Sequence, residues 1–331
     1  MSAPVIDIHC HAAGMGSGGS GCHVTEKLRC NWRFSHYLRA FGVSREELAL
    51  DGDSLLLQRL SERLAASQRV QKAVVLALDG VVDQDGQLDL ARTEVYIPND
   101  YLAAEIRRYP NLLFGASVNP YRKDALERLE QAAADGAVLI KWLPNIQRID
   151  PADERLIPFY DAMKRLGLPL LVHTGAENSF TTSDNRLGDP RRLRLPLERG
   201  VTVIAAHAAT TGKSDGHDNM ELLLPMLEAY PHLYTDISSL TQLNKLFYLP
   251  RLLKKPQLQG KLLYGTDMPL IATPVVSPWY YLGQLPLKEI LRISRIRNPW
   301  DRDLAIKESL GVDPSVFTRA AALLKLSSSL P

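Results

Sequence analysis

"AVLIKWLPNIQRIDPADERLIPFYDAMKRLGLPLLVHTG", residues 137–175, changes its hydrophobic period twice. It opens with a short apolar run, "AVLIKWLP", of strand rather than helix length. After a Pro- and Asp-containing loop, "DERLIPFYDAMKRLG" begins with acids, ends with Lys164 and Arg165, and stops at Gly167. That punctuation belongs to an amphipathic helix. "PLLVHTG" then returns to the strand pattern. Strand, helix, strand is the repeating unit of a parallel sheet.

The same grammar extends in both directions. Further β-rich runs are "PVIDIHCH" (4–11), "KAVVLAL" (72–78), "LLFGASVN" (112–119), "VTVIAAHAA" (201–209), "LYTDISS" (233–239) and "LLYGTDMP" (262–269), which with 137–144 and 169–175 makes eight. From residue 137 onwards the runs start about 30 residues apart, the length of one strand-and-helix unit. Eight such units close into a barrel with no free sheet edge. The expectation is an α/β fold, a (β/α)8 TIM barrel, with residues 1–331 as a single domain. Two regions depart from the even spacing. Residues 12–52, Gly- and Ser-rich and then aromatic and basic, form a long loop after the first strand and read as an active-site cover. Residues 274–331 read as C-terminal helices outside the barrel, with "DRDLAIKESLG" and "DPSVFTRAAALLKL" as examples.

Composition narrows the class. Lys and Arg number 39 against 37 Asp and Glu, with no block of one sign, which argues against a nucleic-acid or membrane surface. The opening "MSAPVIDIH" has neither a basic start nor a leader-length apolar stretch, so a cytoplasmic protein is expected. A homo-oligomer is compatible with this composition. Cys10, Cys22 and Cys30 match neither a zinc ribbon nor a CxxC pair and are expected to be free thiols. Cys10 should face the helix layer.

In such a barrel the C-terminal strand ends line the active-site mouth. The first run ends in His9 and His11, two apart and therefore on one face. The fourth carries Lys141, the fifth His173, the sixth His207, the seventh Asp236 and the eighth Asp267. Four of the eight histidines thus fall at strand ends. Each alone reads as an ordinary strand-end residue, but their coincidence at one end of one barrel points to a metal site. Imidazole and carboxylate without a cysteine cluster suit a divalent cation, zinc first, with manganese, nickel or iron also compatible.

Asp-x-His-x-His in the first run, Lys141, His173, His207 and "YGTDMP" with Asp267 together resemble the amidohydrolase superfamily, and residues 140–175 resemble its amidohydrolase-2 branch. The resemblance implies a metal-dependent barrel enzyme with His9, His11 and Asp267 on one ion. His173 would bind the same ion or its neighbour. His207 would bind a second ion or contact substrate. In binuclear relatives the lysine matching Lys141 is carboxylated and bridges the two ions; the competing role for Lys141 is a cation that anchors a substrate carboxylate. An ammonium aimed at a metal cluster is repelled and desolvated, which favours a neutral amine able to capture carbon dioxide.

The first functional expectation is hydrolysis of an amide, lactone or ester by metal-activated water, with Asp267 and His207 catalytic. The alternatives are a decarboxylase or hydratase of the same superfamily, and a catalytically silent metal-binding scaffold. The substrate is expected to be a small molecule, with an anionic one compatible with the basic loops. Trp142, Asn145, Glu177 and Arg186 are the candidate substrate contacts, and Arg191, Trp32 and Arg33 lie on segments that could also reach the mouth.

Overall fold

The computed structural model describes residues 3–324 and 326. Eight parallel strands form one sheet: β1 (Ile6–His11), β2 (Lys72–Leu76), β3 (Leu112–Ala116), β4 (Leu139–Trp142), β5 (Leu170–His173), β6 (Val203–Ala206), β7 (Leu233–Asp236) and β8 (Leu262–Leu263). Each pairs with the next in chain order. Beyond the end of β8, the Ile8 amide donates to the Tyr264 carbonyl at 3.1 Å and the His11 amide to Met268 at 3.0 Å, which closes the ring. All eight expected strands are present, and the fold is a TIM barrel.

Alternation sorts the side chains into two cores. Ile6, Ile8, Val74, Leu76, Leu139, Leu171, Ile204 and Leu263 fill the barrel interior. The C-terminal helix Ser315–Leu323 brings Ala320 against this interior core. The opposite faces of the strands pack against the helix layer. Helix Ser54–Ala65 buries Leu56, Leu60 and Leu64, as its leucine spacing predicts. Helix Ile157–Leu166 stops at Gly167 in the left-handed conformation, φ 69°, where a side chain would be strained.

Residues 12–52 leave β1 as a tightly anchored loop. Asp53 accepts hydrogen bonds from the Met15 and Gly16 amides and from Ser20 Oγ, which ties the glycine-rich part down. A two-residue strand, His23–Val24, then pairs with Val95–Tyr96, followed by helices Glu26–Arg29, Trp32–Phe41 and Arg45–Asp51. The last begins with a reciprocal cap between Ser44 and Glu47. At the other end of the chain, helices Leu287–Ser294, Pro299–Ser309 and Ser315–Leu323 follow the barrel. Among the described residues, no helix is long and apolar enough to cross a membrane. The three cysteines are unpaired, with Cys10 in the helix-facing core, Cys22 buried and Cys30 exposed.

Candidate active site

Two different devices aim the polar side chains into the barrel mouth. For Lys141 and His173 it is plain alternation, since Leu139 and Leu171, two residues earlier, fill the interior. For the others the phase is broken. Ile6 and Ile8 point inward, and continued alternation would send Cys10 inward too; a register shift between Asp7 and Cys10 turns His9 and His11 to the interior and Cys10 to the helices. His207 directly follows the inward Ala206 and is re-aimed by a left-handed backbone, φ 56°, as is Asp267 at φ 64°. Non-glycine residues in this region store strain, which accumulates at functional strand ends.

The side chains meet closely. His9 Nε2 lies 2.9 Å from Lys141 Nζ and 3.7 Å from Asp267 Oδ1; His11 Nε2 lies 3.1 Å from the same Asp267 oxygen. The His9 ring stacks on His207 with centroids 4.9 Å apart, and His173 meets His207 edge-on at 5.3 Å. One ligand atom each from His9, His207 and Asp267 falls within 4.8 Å of the others, a grouping able to hold a metal ion. Gly265 makes room: a Cβ there would stand 3.0 Å from that of His9.

Hydrogen bonds fix which ring nitrogens face the cavity. His9 Nδ1 donates to Asp236 Oδ2 at 2.8 Å, which leaves Nε2 as the lone-pair donor. Asp236 also accepts from the His207 amide and from Ser238. His207 Nδ1 lies 3.2 Å from the Ser238 carbonyl, an obligate acceptor, so Nδ1 carries the proton and Nε2 is free. His173 Nε2 is buried without a hydrogen-bond partner, 3.7 Å from Glu177 Oε2.

Electrostatics keep this set ready for a cation. Burial, reinforced by Lys141, lowers His9 to about 4, and burial lowers His173 to about 4 as well, so both rings are neutral at pH 7. Burial lowers Lys141 to about 8. Burial raises the pKa of Asp267, but His11, His207 and His9 outweigh it and hold the carboxyl well below its ordinary range. Neutral imidazoles and an ionised carboxylate are the forms that bind metals.

Above the cluster lies a cavity of about 190 Å³. His11, Lys141, His173, His207 and Asp267 line its floor, with Glu177 beside them. The other proposed substrate contacts do not reach it. Trp142 is fully buried on the opposite face of β4, packed on Phe159 and Tyr160 with its indole donating to the Val118 carbonyl. Asn145 is buried under the loops and donates to Gly175 O and Asn185 Oδ1. Arg186 and Arg191 line a separate outer groove, paired with Asp184 and with Asp189 and Asp215. The side chains of Trp32 and Arg33 lie outside the described residues.

Three residues behind the cluster were not readable as site components. Ser238 and Ser239 flank His207 Nδ1, and Lys245 donates to Ser239 Oγ at 2.6 Å while its charge acts on His173 and His207. Nothing in "TQLNKLFY" distinguishes Lys245 from a surface lysine; the chain reversal after β7 brings it inward.

A family model described as amidohydrolase matches residues 6–294, nearly the whole barrel. The chain belongs to the amidohydrolase-2 family. No curated protein matches it. Among solved structures, an uncharacterised TIM-barrel protein from Bordetella bronchiseptica is similar at TM-score 0.57 and 17% identity, covering 92% of this chain and 99% of that one. A Pseudomonas putida protein named as a 2-pyrone-4,6-dicarboxylic acid hydrolase follows at 0.56 and 15%, covering 98% of each chain. The Metarhizium anisopliae IDCase in apo form is similar at 0.53 and 13%, covering 97% of each chain. At these identities the likeness supports the fold alone. Members of the family are typically metal-dependent enzymes acting on small molecules, and this amidohydrolase presents a His, His and Asp group of the required kind.

Proposed function

We propose that this amidohydrolase is a metal-dependent hydrolase that cleaves an amide, lactone or ester bond of a small molecule with water. The carrying observation is the grouping of His9, His207 and Asp267 at the barrel mouth with His11, His173 and Lys141 against it, His9 Nε2 being freed by Asp236 and His173 Nε2 buried and unpartnered. A cation fits such a set. His9, His11 and Asp267 would hold one ion, His173 the same ion or its neighbour, and His207 the second. Zinc suits these ligands best. The bound cation supplies a water of lowered pKa and a Lewis acid for the scissile carbonyl.

The chain's own residues manage the proton. Asp267 Oδ accepts it from the attacking water as the water oxygen joins the acyl carbon. When the bond from acyl carbon to heteroatom breaks, Asp267 returns the proton to the departing nitrogen or oxygen. The Ser238 carbonyl holds His207 in one tautomer, which leaves Nε2 facing the cluster as a ligand. Lys141, lowered to about 8 by burial, could add carbon dioxide at Nζ with loss of a proton, and the resulting carbamate would offer an anionic oxygen ligand beside the histidines.

A second reading is a metal-dependent decarboxylase using one ion. The close grouping of only His9, His207 and Asp267 within 4.8 Å favours it. Purified protein loaded with zinc and offered lactones, dipeptides, esters and aromatic carboxylates separates the two. Two ions per chain and an acid product are expected; one ion with carbon dioxide release would replace the hydrolase reading.

A further inference from the structure

The cavity over the cluster has two unlike halves. Its floor is polar and carries Asp267 and Glu177. Its upper wall is apolar: Leu28, Phe34 and Phe41 come from the excursion after β1, Leu143 from the end of β4, Phe180 from the loop after β5 and Leu270 from the segment after β8. Helix Trp32–Phe41 buries Phe34 and Phe41, so the wall is built into the fold.

Charge narrows the ligand. Among the described residues lining the cavity, Lys141 is the one lysine or arginine, and its Nζ is directed at His9. Lys245 turns its amine to Ser239, and the basic residues of the loop after β5 are paired in the outer groove. A carboxylate entering the apolar half would lose its hydration, meet no cation and face Glu177. Size narrows it further. A dry cavity of about 150 Å³ admits benzene, so 190 Å³ admits roughly one ring or a branched chain of that bulk.

Resting on the hydrolase reading, we infer that the substrate is neutral and one-sided, presenting its scissile carbonyl to the histidines and a ring-sized apolar group to the wall formed by Leu28, Phe34, Phe41, Leu143, Phe180 and Leu270. One methylene more or less in a hydrophobic pocket already discriminates by about ten- to two-hundredfold.

The test uses the zinc-loaded protein and two independent readouts. Calorimetry compares three ligands of similar length: phenylacetamide, 4-carboxyphenylacetamide and gluconamide. Phenylacetamide is expected to bind at least about tenfold more tightly than the other two. The methyl esters of the three corresponding acids should follow the same order in kcat/KM. Leu28→Arg, which puts a cation into the partly exposed edge of the wall, should shift preference towards the carboxylate-bearing ligand. Equal binding of the three, or preference for either polar one by the unsubstituted protein, would overturn the inference. Selective binding of phenylacetamide with no hydrolysis of any ester, amide or lactone would instead sink the hydrolase reading and leave the apolar wall in place.

Discussion

Among the described residues two lysines are sealed in the protein interior, and their surroundings could hardly differ more. Lys307, fully buried on helix Pro299–Ser309, donates to Asp303 Oδ2 at 2.7 Å and to the Gly265 carbonyl at 2.8 Å, with the Tyr264 ring beneath it. Lys141, 1% exposed, has an imidazole as its close partner, His9 Nε2 at 2.9 Å, and Asp236, Asp267 and Glu177 act on it only through space. A buried charge with a full set of partners locks two elements together. A buried amine facing a lone pair is arranged for chemistry, because its charged form is poorly supported where it stands. Lys307 therefore belongs to the architecture, and Lys141 is the lysine assigned to the proposed reaction.

The largest expected effect is on turnover. Lys141→Ala should lower kcat/KM by about a thousandfold, as removal of a central electrostatic group does, and should bind about one metal ion fewer per chain. Its melting temperature should stay close to that of the unsubstituted protein, since the alanine abandons no paired charge. Metal analysis alongside kinetics decides it. Undiminished metal content would remove the bridging role and with it half of the contrast.

Lys307→Ala should show the reverse pattern. It leaves Asp303 buried with the hydroxyls of Thr241, at 2.6 Å, and Tyr264, at 3.4 Å, as its remaining donors, and breaking such a pair costs about 3–5 kcal/mol. Denaturant titration would read that loss, while the folded fraction keeps its metal content. The double substitution Lys307→Met with Asp303→Leu should recover most of the stability, because an apolar pair of similar volume needs no solvation. If Lys307→Ala emptied the metal site without destabilising the fold, the division between the two lysines would fail.

Asp236→Asn sharpens the contrast from the other side of His9. The amide keeps the volume but loses the charge that fixes the His9 tautomer, and such partners of metal-binding histidines are worth about ten- to a hundredfold in affinity or activity. Zinc affinity measured by competition with a chelator would show it. An unchanged affinity would mean that Ser238, 3.1 Å from His9 Nδ1, suffices to orient the ring.

How much of this was legible depends on where each residue's neighbours come from. The eight strands and the helix ending at Gly167 were readable because period and punctuation are local. Lys141 and His173 were readable for the same reason, as inward positions of short strands. The alternation that sends Lys141 inward also sends Trp142 outward, so its place against Phe159 and Tyr160 was available from that rule, although its segment had made it a candidate substrate contact. His9 and His11 share a face as expected, but the register shift that turns that face inward depends on pairing with β2, which no local pattern announces. Lys307 sits in "DLAIKESLG", which reads as a solvated helix face; its burial arises from contact with the Gly265 carbonyl, 42 residues away. Residues 12–52 were recognisable as an excursion from the uneven spacing. Which of their side chains form the cavity wall was not, because that is decided by how helix Trp32–Phe41 docks.

The smallest expected effect concerns a charge that the sequence alone placed near substrate. Arg186 is 85% exposed at its side chain, and its guanidinium is taken up by Asp184, two residues away. It lines the outer groove with Arg191 and Arg192, apart from the cavity over the histidines. An exposed pair of this kind contributes little, because water and salt screen it and a long side chain must be held still to form it. Arg186→Ala should leave the melting temperature, metal content and kcat/KM unchanged within error, at both low and high salt. A rise in KM that disappears at high salt would show the outer groove steering an anionic substrate towards the mouth. Such a result would carry the logic of the two lysines outward, since a charge that looked fully partnered would then have a second use.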